Sequence, residues 1–204
     1  MLLADIGNSY FHIYDGKDVV HLSHEEAIKR YAKERLYYIC VKPGLAEKMK
    51  DMTLWENIAP RLVLHGAYDT MGIDRKALCL SHPNGIFVDA GSAITVDMVE
   101  EGHYKGGFIL PGIKSYLDAY RSISPVLDTQ INKRVNLEQW PLTTKDGISY
   151  GIIASIKALI DQHRQNKRLY VTGGDGFWLS SFFEEAVFDE TLVFKGMRRA
   201  LGAE

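Results

Sequence analysis

Cysteine is nearly absent from this chain: Cys40 and Cys79 are the only 2. They lie in unrelated contexts without metal-ligand spacing, so they read as small buried apolar residues in a reducing compartment. Long apolar runs are missing too. Nothing approaches the ~20 residues of a membrane span, and the opening apolar stretch meets Asp5 too early for a signal-peptide core and has no basic leader. A cytoplasmic protein without membrane association is expected. Neither charge is in excess: 24 Lys and Arg stand against 26 Asp and Glu, a net charge of -2. No general attraction to nucleic acid follows, and an anionic ligand needs a local cationic or backbone-amide site. The phosphate loops G-x-x-x-x-G-K-[ST] and G-x-G-x-x-G before a helix are lacking. The 7 histidines follow no H-x-x-x-H or H-x-E pattern. His65, His82 and His103 read as surface or capping residues, and the widely spaced Trp55, Trp140 and Trp178 as core or interface residues.

What is present is an ordinary globular composition, 46% hydrophobic and 25% charged over 204 residues. That length suffices for one large domain or two small lobes with a real core. Residues 2–6 and 10–14 read as strands around a Gly-Asn turn. Ser23 with Glu26 forms a capping box opening a helix to about Lys33. "RLYYICV" is a buried strand, "LAEKMKDM" a short helix, and "RLVL" at 61–64 another short strand. Asp74 and Arg75 fall at or near a helix start. "GIFVDAGSAITVDMV" reads as strand, Gly turn, strand; "HYKGGFILPG" is a third strand and "IKSYLDAYRSI" an amphipathic helix. The longest helical pattern runs through "TTKDGISYGIIASIKALIDQHRQ", with Thr143 or Thr144 as its N-cap. A strand "RLYVTGG" and the helices "GFWLSSFFEE" and "VFKGMRRALGA" follow.

One pattern occurs twice. Asp5-Ile6-Gly7-Asn8-Ser9 and Asp89-Ala90-Gly91-Ser92-Ala93 each close an apolar strand and precede an alternating one. The echo predicts a duplicated fold of two similar lobes with a cleft between them. A Gly-Asn turn needs no function, since Gly supplies positive φ at no cost. A carboxylate at the end of an apolar strand is different, because burial is costly unless the group is paired or solvated. Beside a Gly-rich turn it suits a metal–phosphate site: the carboxylate faces a cation while backbone N–H groups approach phosphate oxygens. "TGGDG" at 172–176, between strand and helix, fits nucleotide contact or a plain structural turn. "GIDR" at 72–75 reads either as a solvated ion pair or as chemistry. In the latter, Arg75 forks onto a carboxylate or phosphate and Asp74 accepts the proton of a hydroxyl attacking a γ-phosphate.

Taken in order, "DIGNS", "GIDR", "DAGSAITVD", "GGFILPG", "TTKDGI" and "TGG" resemble the type III pantothenate kinases of the acetate and sugar kinase/Hsp70/actin superfamily. The series runs from residue 5 to about 174. The resemblance implies an α/β fold of two ribonuclease-H-like (actin-like ATPase) lobes, mixed sheets flanked by helices. We place them at 1–83 and 84–204, with the last helix free to pack back on the first. It implies phosphorylation of pantothenate by ATP, the first step of coenzyme A synthesis. Asp5 would face the Mg2+-bound phosphates through water. Ile6, Gly7, Asn8, Ser9 and Ser92 would line the ATP phosphate site. Asp74 would be the general base, and Gly72, Ile73 and Arg75 would hold pantothenate. Asp89 would serve a monovalent cation, K+ or NH4+. Thr144 would reach pantothenate from the partner subunit of a homodimer, and Tyr68 is the candidate aromatic cover. Ser9 and Ser92 stand where the family more often has Thr, and Gly147 where it has Ala. A superfamily kinase acting on a sugar or small acid, a non-catalytic regulator of the same fold, and an actin-like filament protein are the competing readings.

Overall fold

The computed structural model describes residues 1–49 and 51–203. The first hairpin is β1 (Leu2–Ile6) and β2 (Phe11–Tyr14), extended by β3 (Val19–Leu22). After α1 (His24–Tyr31) come β4 (Leu36–Cys40), α2 (Pro43–Met49) and β5 (Trp55–Asn57). Lys50, inside the helix expected over 45–52, and Glu204 lie outside the described residues. α3 (Ile73–Cys79) precedes β6 (Gly85–Ala90), β7 (Ala93–Glu100) and β8 (His103–Pro111). Then follow α4 (Ile113–Ile123), α5 (Thr144–Arg164), β9 (Leu169–Thr172), α6 (Gly176–Ser180), β10 (Val187–Phe188) and α7 (Leu192–Ala200).

The strands form two five-stranded sheets with spatial orders β3-β2-β1-β4-β5 and β10-β9-β6-β7-β8. Read from the other edge, the second order repeats the first strand for strand. The echo of "DIGNS" and "DAGSA" is therefore an echo of topology, each motif closing the central strand of its sheet. In the first sheet β1 pairs antiparallel with β2 and parallel with β4; in the second, β6 pairs parallel with β9. A parallel partner needs a crossover, which α1 supplies in the first half.

The chain divides into two compact units: Met1–Asn84 with Met98–Gly106 and Glu190–Glu204, and Gly85–Asp97 with Gly107–Asp189. In the first, Ala4, Ile6, Phe11 and Ile13 pack with Ala27, Leu36, Tyr38 and Trp55. Ser23 caps α1 in the expected capping box with Glu26. On the other sheet face Tyr14 stacks on Phe194 of α7, ring centroids 5.3 Å apart. α7 crosses α3 at Gly196, where any Cβ would collide with the Ala77 carbonyl. In the second unit α5 buries Ile148, Ile152, Ile153, Ile156 and Ile160. Thr143, not Thr144, is its N-cap, accepting from Asp146 N–H.

One expected element is wrong. Residues 61–64 are not a strand: Ala59–Arg61 forms a 3-10 turn, and the sheet edge is taken by β5 just upstream. β3 and β10 were not foreseen, and the helix expected over "GFWLSSFFEE" stops at Ser180.

Candidate active site

Asp5 occupies the next-to-last position of β1, half-buried, between His12 of β2 and Ile39 of β4. Ile6 after it is fully buried, and its carbonyl accepts from Val41 N–H at 3.1 Å. Its side chain is thus spent on the core and its carbonyl on the end of the strand. Gly7 is pinned from both sides. Its N–H donates to Tyr10 O at 3.0 Å, and its carbonyl accepts from His24 Nε2 at 3.0 Å. A Cβ there would stand 3.3 Å from Tyr10 O. With that peptide fixed, Asn8 and Ser9 are left exposed at the tip of the turn. Burial, more than the nearby Asp5 carboxylate, pushes the Cys40 thiol up, against the lowering effect of a hydrogen bond from the Lys42 backbone. Cys40 is half-buried and Cys79 buried.

Further along the same unit, Gly72 is the N-cap of α3, and its carbonyl accepts from Lys76 N–H at 3.1 Å. A Cβ on Gly72 would lie 2.6 Å from Asp74 Oδ1. The glycine is what lets the carboxylate fold back, and Asp74 Oδ1 then accepts from Arg75 N–H at 2.8 Å. Ile73 fills the position between them, half-buried. Arg75 is only 6% exposed. Its Nη1 donates to the Tyr68 hydroxyl at 2.7 Å and its Nη2 to the Tyr104 hydroxyl at 3.4 Å. The guanidinium also lies 6.0 Å from the Tyr68 ring centroid, within cation–π range. The structure therefore brings Gly72, Asp74, Arg75 and Tyr68 together.

In the second unit Asp89 is the next-to-last residue of β6, opposite Thr172 of β9. Gly173 follows Thr172 with φ +92°, and a Cβ there would collide with Asp89 Oδ1 and the Ala90 carbonyl. Asp175 N–H donates to that carbonyl at 3.0 Å. Gly112 closes the group: its Cβ position is 2.5 Å from both Gly91 O and Ser92 O, and its N–H donates to Ser92 O at 3.2 Å. Three motifs separated in sequence, 89–92, 111–112 and 172–174, thus meet at one end of the second sheet, with Ser92 exposed beside them. Thr144 is elsewhere in this unit, exposed at the first turn of α5. Asp146 there accepts from Asn132 Nδ2 and Thr143 Oγ1, both at 2.7 Å. Those bonds hold its carboxyl below the usual carboxylate range.

Two contacts were not anticipated. Tyr104 reaches Arg75 from 29 residues away and His24 reaches Gly7 from 17. Neither carries a local signal, because only strand pairing and the packing of α1 bring them in.

The family profile of type III pantothenate kinases matches residues 54–166. A Campylobacter hominis type III pantothenate kinase is 44% identical over 198 residues, 97% of this chain and 96% of the relative. A Wolinella succinogenes protein of the same description is 43% identical over 203 residues, covering 98% and 96%. Among solved structures, a Campylobacter jejuni protein assigned to the Baf family of transcriptional activators superposes with TM-score 0.91 at 37% identity, covering 99% of this chain and 98% of that one. MreB5 of Spiroplasma citri, at 10% identity and TM-score 0.51 over 97% of this chain and 94% of that one, shares the fold alone. The fold is that of the actin-like ATPases, and by sequence over nearly its whole length the chain belongs to the type III pantothenate kinase family.

Proposed function

We propose that this protein transfers the γ-phosphoryl group of ATP to the hydroxyl of pantothenate, releasing ADP and 4′-phosphopantothenate. The observation that carries this reading is the start of α3, where a glycine makes room for Asp74 and two tyrosine hydroxyls hold the Arg75 guanidinium. Asp74 takes the hydroxyl proton as the oxygen attacks the γ-phosphorus. The bond from that phosphorus to the bridging oxygen breaks and ADP leaves. Positioning and charge stabilisation supply most of the rate in such a loose transition state. Arg75, pre-set by Tyr68 and Tyr104, binds the pantothenate carboxylate as a planar fork, with Gly72 and Ile73 shaping the floor and Tyr68 covering the substrate.

In the first unit the exposed tip of the turn Gly7-Asn8-Ser9 offers N–H and hydroxyl groups to phosphate oxygens, with Ile6 setting its reach; in the second unit the exposed Ser92 hydroxyl is assigned to ATP. Among the described residues no three His, Cys, Asp or Glu side chains converge as a metal cage. That supports Mg2+ arriving with the nucleotide, faced by Asp5 through water, as is usual for this ion. The oxygen-rich end of the second sheet, with Asp89 beside the Ala90 carbonyl under Gly173, suits a hard monovalent cation, K+ or NH4+. When bound, these ions neutralise phosphate charge.

A homodimer completes the proposal. Trp140 is 88% exposed and Leu142 96% exposed, immediately before Thr143 and Thr144. Large apolar side chains left bare in this way favour a protein partner. With the Thr143 hydroxyl committed to the helix cap, Thr144 is the hydroxyl we assign to the partner's pantothenate site. Among the described residues no helix is long and apolar enough to cross a membrane, and the activity is assigned to the cytoplasm with small-molecule substrates.

Mass spectrometry of a reaction with ATP, Mg2+, K+ and pantothenate tests the reading: 4′-phosphopantothenate is expected, and its absence overturns it. A second reading, a regulator of the same fold, is favoured only by the description of the Campylobacter jejuni structure. It predicts no turnover with any hydroxyl substrate.

A further inference from the structure

Alternation along β2 sends Phe11 and Ile13 into the core and turns His12 to the opposite face. His12 stands directly across from His21 of β3 on one side and from Asp5 of β1 on the other. Directly opposed residues share a sheet face, so His21, His12 and Asp5 form one row running inward from the edge strand. The two imidazoles meet edge to face, with Nδ1 atoms 2.6 Å apart and ring centroids at 4.8 Å. Two facing imidazole nitrogens hold a single proton between them: one donates and the other accepts with its lone pair. Two neutral ring nitrogens aimed at one point are also the donor set of a borderline divalent transition ion.

We propose that His12 and His21 chelate one Zn2+, Ni2+ or Cu2+ ion through their Nδ1 atoms across the β2–β3 pair. The ion takes the place of the shared proton. The donor ring moves its proton from Nδ1 to Nε2, so that proton stays on the ring and both Nδ1 lone pairs face the ion. The nitrogens separate to about 3.3 Å, the edge of a tetrahedron with bonds of 2.0–2.1 Å. His21, exposed on the edge strand, is placed to absorb that movement. No third His, Cys, Asp or Glu joins them among the described residues, so water fills the remaining positions and the ion exchanges freely. The other histidine pair lacks this geometry. His65 and His103 present ring faces at 5.5 Å and 32°, and His103 Nδ1 is engaged with the Glu101 carbonyl at 3.0 Å.

The site is independent of the kinase reading and is tested without nucleotide. Calorimetric titration of the full chain with ZnCl2 in excess Mg2+ is expected to give one saturable equivalent, and Zn2+ is expected to raise Tm because it binds the folded state. His21→Ala, on an exposed edge position, is expected to keep the metal-free Tm and lose the equivalent and the Tm rise. His21→Gln serves as the second variant with the same expectation, and His65→Ala is expected to retain both. Absence of saturable binding in the wild type, binding undiminished in both His21 variants, or loss of the same equivalent in His65→Ala overturns the proposal.

Discussion

Arg75 shows how much of a candidate binding residue lies outside its own motif. The "GIDR" pattern marks a cation beside a carboxylate, but a buried guanidinium is tolerable only when its donors are satisfied. The hydroxyls of Tyr68 and Tyr104 do this, and they fix the plane of the fork before substrate arrives. Arg75→Ala is expected to raise the pantothenate KM by about 10- to 100-fold, the loss of a charge-assisted bond of roughly 1.5–3 kcal/mol. Steady-state kinetics with varied pantothenate check this, and an unchanged KM removes Arg75 from the acid site. Asp74→Asn keeps the shape at α3 but cannot take a proton. A fall in kcat of about 10²- to 10⁴-fold is expected, and near-normal turnover would refute the base assignment. Asp74 and Arg75 were legible because they are adjacent and sit at a recognisable helix start. Tyr104 and His24 were not, since their partners are fixed by pairing and packing across 29 and 17 residues.

At the scale of elements, strands and helices with local signals were readable and edges were not. The capping box at Ser23 and the apolar pattern of α5 each carry their own evidence in sequence. The 61–64 segment misled because Leu62 and Leu64 are buried in alternation, as in a strand. Upstream, Asn57 Oδ1 accepts from Ala59 N–H at 2.9 Å, and Pro60 supplies a fixed φ suited to a tight turn. Together they spend this stretch on a 3-10 turn instead. Helix crossing was equally hidden. Gly196 reads as a weak point in α7, yet it is where α7 comes into backbone contact with α3. Since α3 carries Asp74 and Arg75, packing at Gly196 sets the position of the proposed base. Gly196→Ala is expected to cost about 1–3 kcal/mol by overpacking. Denaturant unfolding measures it, and an unchanged midpoint would show that the helices separate without penalty.

For the whole molecule, the repeated motif proved to be the most informative feature. Two short matches in sequence became two sheets of one strand order, with a carboxylate at the end of each central strand. The halves then diverge in local structure. The first surrounds Asp5 with a turn pinned by Tyr10 and His24, while the second packs three glycine turns around Asp89. Such divergence fits one carboxylate facing nucleotide-bound Mg2+ and the other a monovalent ion. Replacing K+ by Na+ is accordingly expected to abolish most activity while leaving the fold unchanged by circular dichroism. Activity indifferent to the cation would argue against that role for Asp89.

Pantothenate-dependent ADP release tests the central claim most directly. Purified protein with ATP, Mg2+ and K+ is assayed with pantothenate and, separately, with a panel of sugars and small hydroxy acids. The account predicts turnover with pantothenate alone, nearly lost in Asp74→Asn. Release of ADP that ignores pantothenate, or that follows one of the other hydroxyl compounds instead, would contradict it.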